Sequence, residues 1–420
     1  MMYAMDATLR PRDRRLRTGS LFFSLGTAFL VVLFISSVHD YSYFRWHEIK
    51  PLYFQLLAVG LAGVALVTHA NKVANGFPKA LLAWIGLYLG LQLVSFLVST
   101  QTEASVGQLI FALKSAALLF SFVVLLLLEP ESKWISRIVV VVAILSVAIN
   151  IYDFLVPTFS TTPGRAAGLY QNSNISGRII TMSMVLSCLA IPKHLRPVYC
   201  LIVGIGVLLT FSRSSWLLWA IGITGLAATG QVFLKSKVAS AFVFGSVGLL
   251  VVFALLSGIM LDIFQAIGVD QYLTGGTTAR LGGGAGTFSD ASAAGRIDAI
   301  WYSLSEFRQH PWFGAGLGAT TDWITLNRPH NMYLMLAVES GIVGLLVFLL
   351  LIGILWLHSN SIGRVAVVLY AVSSFFSHTN LEQPAILCLM AMVAVFYPRK
   401  AESATFLQDQ SPPQRSKARL

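Results

Sequence analysis

The chain has 420 residues, of which 56% are hydrophobic and only 11% charged, against about 25% charged in an average soluble domain. That balance excludes an ordinary soluble globular protein and points to a bilayer as solvent. The formal net charge of +11 would suit nucleic acid in a soluble chain, but the basic residues gather in short loops and tails between apolar runs, so topology accounts for them and no nucleic-acid partner is expected.

Arg10, Arg12, Arg14, Arg15 and Arg17 precede the first apolar run, at 21–38. No small-x-small cleavage site follows it and its length suits a span, so it reads as a retained first helix rather than a signal peptide. Further runs follow near 51–69, 79–98, 106–128, 134–155, 175–191, 195–212, 214–230, 238–260, 331–356, 362–378 and 384–397. They predict a single all-α polytopic membrane domain over 1–420 with about twelve transmembrane helices; the sixth to eighth runs are near the minimum length, which leaves eleven open. With the N-terminus cytoplasmic, inner segments collect Lys72, Lys79, Lys133, Lys193, Arg196, Lys235, Lys237, Arg364, Arg399 and Lys400. The outer short loops hold only Arg45, Lys50, Arg165 and Arg213. This is a positive-inside pattern with both termini cytoplasmic. The polar tail 399–420 carries Pro412 and Pro413 and is expected to be disordered. Cys188, Cys200 and Cys388 lie inside apolar runs, without disulfide or metal-ligand spacing, and read as small buried hydrophobes.

Between the ninth and tenth runs lies a large outer loop, 261–330. It passes through the glycine-rich stretch Gly282-Gly283-Gly284-Ala285-Gly286. It then predicts a helix from about Ser292 to Arg308, with Ile297, Ile300, Trp301 and Leu304 at helical spacing and His310-Pro311 as its stop. So long a loop among short connections points to function. Trp301, Trp312 and Trp323 suit an interfacial belt. Gly314-Ala315-Gly316-Leu317-Gly318 has no strand before it, so it reads as a tight turn and not as a dinucleotide fingerprint.

The outer side collects arginines at Arg165, Arg213, Arg280, Arg296, Arg308 and Arg328, positions where lysine, used freely in the inner loops, is absent. A planar, permanently charged fork suits phosphate oxygens, so the set points to an anion site for a lipid phosphate or diphosphate. Pairing with Asp262, Asp270, Asp290, Asp298, Glu306 and Asp322, or with lipid headgroups, stays open for each arginine singly. Arg213 stands in the short turn Thr210-Phe211-Ser212-Arg213-Ser214-Ser215-Trp216, where hydroxyls and a helix N-terminus add donors. Arg165 stands just before Asn172-Ser173-Asn174-Ile175-Ser176, which predicts a helix cap. His330 ends the loop at the membrane surface; two readings stand for it, a base that takes a proton from a hydroxyl and a helix-start histidine bonded to backbone. Glu339, inside the tenth run about 12 Å below its outer end, reads as structural, and Lys114, at similar depth in the fourth run, is its expected partner. Neither the intramembrane histidines nor His378 has a metal-ligand partner at helical spacing, and there is no Walker motif or Asp-x-Asp pair.

Arg328-Pro329-His330-Asn331-Met332-Tyr333-Leu334, running on to Glu339-Ser340-Gly341, resembles the His-Asn-x-Tyr-Leu…Glu-x-Gly signature of the O-antigen ligase and polymerase superfamily. Gly295-Arg296-Ile297-Asp298-Ala299-Ile300-Trp301, with His310-Pro311-Trp312-Phe313-Gly314-Ala315-Gly316, resembles its upstream element. Gly164-Arg165-Ala166-Ala167-Gly168-Leu169-Tyr170-Gln171-Asn172 and Ser212-Arg213-Ser214 resemble shorter elements, so the likeness covers the chain from about 160 onward.

The resemblance implies a fold similar to the membrane-embedded GT-C glycosyltransferases and transfer of a preassembled glycan from an undecaprenyl diphosphate carrier. In a ligase the acceptor is a sugar hydroxyl of lipid A–core, in the periplasmic leaflet of the bacterial inner membrane. By the same resemblance His330 activates the acceptor, Arg213 and Arg296 hold the diphosphate with Arg165 beside them, and Asn331, Tyr333 and Glu339 support the site. A diphosphate is already a good leaving group, so neither metal nor other cofactor is implied, and attack opposite it inverts the anomeric centre. A polymerase would use the same donor with a carrier-linked acceptor. A protein-directed oligosaccharyltransferase of this superfamily tends to carry a longer C-terminal region. A lipid-linked glycan flippase would also need arginines and many helices, but would leave the carrier bond intact.

Overall fold

The computed structural model describes residues 11–129, 132–162, 164–232, 291–323 and 328–399, with isolated positions between 245 and 278. Thirteen α-helices form among them: α1 (Pro11–Ile35), α2 (Val38–Trp46), α3 (Pro51–Gly76), α4 (Lys79–Val98), α5 (Glu103–Leu128), α6 (Ser132–Leu155), α7 (Ser173–Ser187), α8 (Arg196–Leu208), α9 (Arg213–Ala228), α10 (Ala291–Gln309), α11 (Met332–His358), α12 (Ser361–Ser373) and α13 (Pro384–Phe396). No β-strand occurs among the described residues.

The distribution of polarity is that of a protein in lipid. Apolar side chains face outward from the peripheral helices: Val67 and Val98 are 86% and 77% exposed, and Leu56, Leu87, Leu97 and Leu145 are exposed with them. Gln92, Gln108, Asn150, Asp153, Arg178 and Glu339 are buried instead. Water would favour the reverse; a bilayer favours this arrangement, because polar groups there must find partners inside the bundle. The chain is an all-α, multi-pass membrane protein.

Among the described residues five helices, α3, α4, α5, α6 and α11, are long and apolar enough to cross a membrane, and α1 with α2, bent by 60°, counts as a sixth if the pair is taken as one span. Other predicted runs form shorter helices. The run 195–212 gives α8, whose last turn opens at Leu209, and 362–378 gives only α12, at 13 residues. At 1.5 Å per residue α12 covers about 20 Å, short of a hydrocarbon core of about 30 Å. The chain leaves the helix there because Ser373 and Ser374 turn their hydroxyls back onto the Tyr370 carbonyl and both accept from Asn380. The run 238–260 and Gly282–Gly286 lie outside the described residues, as does the tail beyond 399.

Two helices form the centre. α5 packs on α3, α4 and α13, and α7 packs on α6, α8, α9 and α12. Their starts are capped: Thr102 begins α5 with a reciprocal Thr102–Ser105 box, and Asn172 begins α7, accepting from the Asn174 and Ile175 amides. The predicted loop helix is present as α10, and it packs against α11.

After α10 the chain turns through 310–318 and locks into α11. Gly341 breaks α11 at φ 62°, ψ −158°, and the freed Ile342 amide donates to the Pro311 carbonyl at 2.8 Å. From the other side the Ala315 amide donates to the Val338 carbonyl at 2.7 Å. A Cβ on Gly341 would lie 2.3 Å from the Trp312 carbonyl carbon, and one on Gly314, at φ 75°, would lie 2.4 Å from the Glu339 carbonyl carbon. Two backbones therefore touch, which only glycine permits. The glycine-rich turn predicted from sequence is the seam joining the loop to the membrane bundle.

Candidate functional site

One end of the bundle carries the polar groups singled out from sequence. Asn331 caps α11, its Oδ1 accepting from the Tyr333 and Leu334 amides at 2.9 and 3.2 Å. The Met332 amide donates to the Ser374 carbonyl at 2.8 Å, and the Tyr333 hydroxyl donates to the Ala371 carbonyl at 2.9 Å. The Tyr333 ring lies 4.4 Å from that of Phe375. These contacts pin the start of α11 to the end of α12. They set His330 beside His378, with ring centroids 5.4 Å apart.

His330 keeps contact with solvent, yet the surrounding protein withholds part of its hydration. That loss first, and the Arg296 guanidinium on α10 second, hold its pKa below the ordinary 6.5. The ring is therefore neutral near pH 7, as a proton acceptor must be. His378 is held lower still, at about 4, by burial and by the charges of His330, Arg328 and Arg178. Arg328 donates to the Thr321 hydroxyl.

Glu339 is buried and accepts from the Thr320 hydroxyl. The expected Lys114 pair does not form. Lys114 instead lies 4.6 Å from the Phe111 ring centre and acts on the carboxylates of Asp40 and Glu382. The reason is geometric: the 314–320 turn reaches Glu339 before any lysine does, and Lys114 opens onto a cavity of about 260 Å³ lined in part by Asp40, Gln55, Thr379 and Glu382. Glu382 accepts from Gln108 at 3.0 Å.

A second cluster joins the 164–174 loop to the turn before α9. Arg165 is buried and divides its fork between the Thr210 carbonyl and the Asn174 side chain, both at 3.0 Å. The Ala166 amide donates to the Leu209 carbonyl at 3.0 Å. Ser212 caps α9 by accepting from the Ser215 amide, which leaves Arg213 as the first helical residue. Asp153, which drew no attention in the sequence, organises the loop: Oδ1 accepts from the Thr158 and Phe159 amides and Oδ2 from those of Ala167 and Gly168.

Helix α7 links the two clusters. Gly177 faces Ser215 and Thr210, where a Cβ would lie 2.4 Å from the Ser215 Cβ. The next residue, Arg178, acts on His378. The sequence reading did not single out Arg178 and weighed His378 only as a metal ligand. An arginine inside the apolar run 175–191 was a visible signal, because a charge at membrane depth is costly without a task. His378 gave none, since its partner His330 belongs to another helix and helical spacing cannot reveal it. Among the described residues no three His, Cys, Asp or Glu side chains converge as a metal-ligand set.

The fold and this end of the bundle define a polytopic membrane protein with a neutral surface histidine among arginines. Residues 198–349 match a family model described as O-antigen ligase, which supports membership of the O-antigen ligase superfamily and a function of the ligase or polymerase type. The matched stretch contains Arg213, Arg296, His330 and Glu339, while Arg165, Arg178 and His378 lie outside it. No curated protein matches the chain.

Proposed function

We propose that the protein is an O-antigen ligase that transfers a polysaccharide from undecaprenyl diphosphate to a sugar hydroxyl of lipid A–core, at the periplasmic face of the bacterial inner membrane. The observation that carries this reading is His330: neutral, open to solvent, pinned by the Asn331 cap and beside Arg296. His330 takes the proton of the acceptor hydroxyl as its oxygen attacks the anomeric carbon. The bond from that carbon to the diphosphate oxygen breaks on the opposite face, so the product is inverted. The carrier leaves as undecaprenyl diphosphate, and the imidazolium returns its proton to solvent. Arg213 and Arg296 hold the diphosphate and stabilise the charge that gathers on it. Arg165 acts at one remove, fixing the Thr210 carbonyl and so the turn that presents Arg213. Tyr333 and Glu339 support the site through α11, and the outer loop contributes Arg296 from α10. The energy sits in the carrier bond, so the reaction needs no metal or nucleotide.

The test is reconstitution in liposomes with undecaprenyl diphosphate–linked O-antigen and lipid A–core, followed by gel. A ladder on lipid A–core that His330→Ala abolishes is the expected result. Longer carrier-linked chains would make the protein a polymerase, and an unchanged donor with folded protein would point to transport.

A further inference from the structure

Arg178 is 4% exposed, and its Nε and Nη2 atoms are buried without a hydrogen-bond partner among the described residues. It forms no ion pair with a described carboxylate. The neighbours whose charge couples to it are the Tyr370 phenol and the His378 ring. Nδ1 of His378 is likewise buried and unpartnered among the described residues. A buried guanidinium with two idle donors and no counter-charge is costly to keep. Such a group is retained when an anion completes it. Arg178 sits five residues past the start of α7, about 7 Å along its axis. It thus lies inside the bundle, while His330 and Arg296 lie at its open face.

We infer that Arg178, with His378 beside it, is a second anchor for the donor's diphosphate, on the buried side of His330. The inference rests on the lipid-diphosphate donor proposed above. A diphosphate has two phosphoryl groups, and a carrier whose chain stays in lipid presents one of them deeper than the other. Arg296 at the surface and Arg178 inside suit that difference in depth, and the planar fork of Arg178 suits two oxygens of one phosphoryl.

Farnesyl diphosphate and farnesyl monophosphate serve as probes, with the full chain in detergent and calorimetry for affinity. The wild type should bind the diphosphate and prefer it to the monophosphate. Arg178→Gln should weaken the diphosphate about ten- to a hundredfold and erase the preference, with Arg178→Lys recovering part of both. Without ligand, Arg178→Gln should melt no lower than the wild type, since it removes an uncompensated charge. Equal binding by wild type and folded Arg178→Gln would overturn the inference and leave the donor reading standing. A much lower melting temperature for ligand-free Arg178→Gln would make the arginine structural and also overturn it. A wild type that ignores farnesyl diphosphate would remove the donor reading, and this inference with it.

Discussion

The base proposed above must be neutral when its substrate arrives, and the groups around His330 favour that form. Its pKa lies below 6.5 because hydration is withheld and Arg296 is near. The acid limb of kcat/KM is therefore expected below pH 6.5. Arg296→Gln removes one positive neighbour, so it should move that limb upward while lowering the rate; a pH–rate series on both proteins reads the shift, and a limb that stays in place would separate Arg296 from His330. His378 gives a stability signature of opposite use. Above pH 6.5 it is neutral in the folded and unfolded chain alike and contributes nothing to the balance. Between 6.5 and about 4 the unfolded chain takes up a proton that the folded site refuses, with His330, Arg328 and Arg178 facing it, so stability falls as pH falls through that window. His378→Asn should flatten the decline in melting temperature measured across it.

Asn172 was legible as a cap because an amide before an apolar run has one dominant local use, to accept from the first free helix amides; Asn331, noted in the sequence only for its place in the family motif, has the same use in the structure. Asn331→Ala should cost about 1 kcal/mol and, by loosening His330, lower turnover more than it lowers the melting temperature; Asn331→Asp should restore most of both. The glycine turn 314–318 was legible as a turn, but its partner was not. Glycine signals that a backbone needs room without saying what fills it, and the answer, Gly341 in the broken α11, lies 27 residues beyond Gly314. Gly341→Ala places a methyl against the Trp312 carbonyl at a positive φ. It should destabilise by well over 1 kcal/mol, visible as reduced yield of folded protein in detergent, whereas Gly353→Ala, with open space around it, should be silent. The Lys114–Glu339 expectation failed for the same reason: depth along a helix can be read from sequence, but the direction a side chain faces depends on which helix packs there.

Over the whole molecule, the class was readable because a bilayer imposes composition, whereas the length of each helix was not, because short helices such as α8, α9 and α12 are as apolar as long ones. What the sequence did carry is a consistent division into two ends. Arg165 reaches the Thr210 carbonyl, Met332 bonds to Ser374, and His330 meets His378, so 164–178, 210–215, 328–333 and 374–382 share one end. At the other, the Arg399 amide donates to the His358 carbonyl at 2.7 Å, the Asn360 amide to the Tyr397 carbonyl at 2.8 Å, and the Tyr397 hydroxyl to the Leu186 carbonyl. By the positive-inside rule we propose that the second end is cytoplasmic, since Lys193, Arg364 and Arg399 lie there. The three native cysteines are buried, so single added cysteines report orientation against a quiet background. A membrane-impermeant maleimide on intact cells should label Thr162→Cys, which is exposed at the first end, and label Lys193→Cys, exposed at the second, only after permeabilisation. Labelling in the reverse order would put His330 in the cytoplasm, where neither a flipped lipid-linked glycan nor lipid A–core in the outer leaflet could reach it, and the ligase reading would fail.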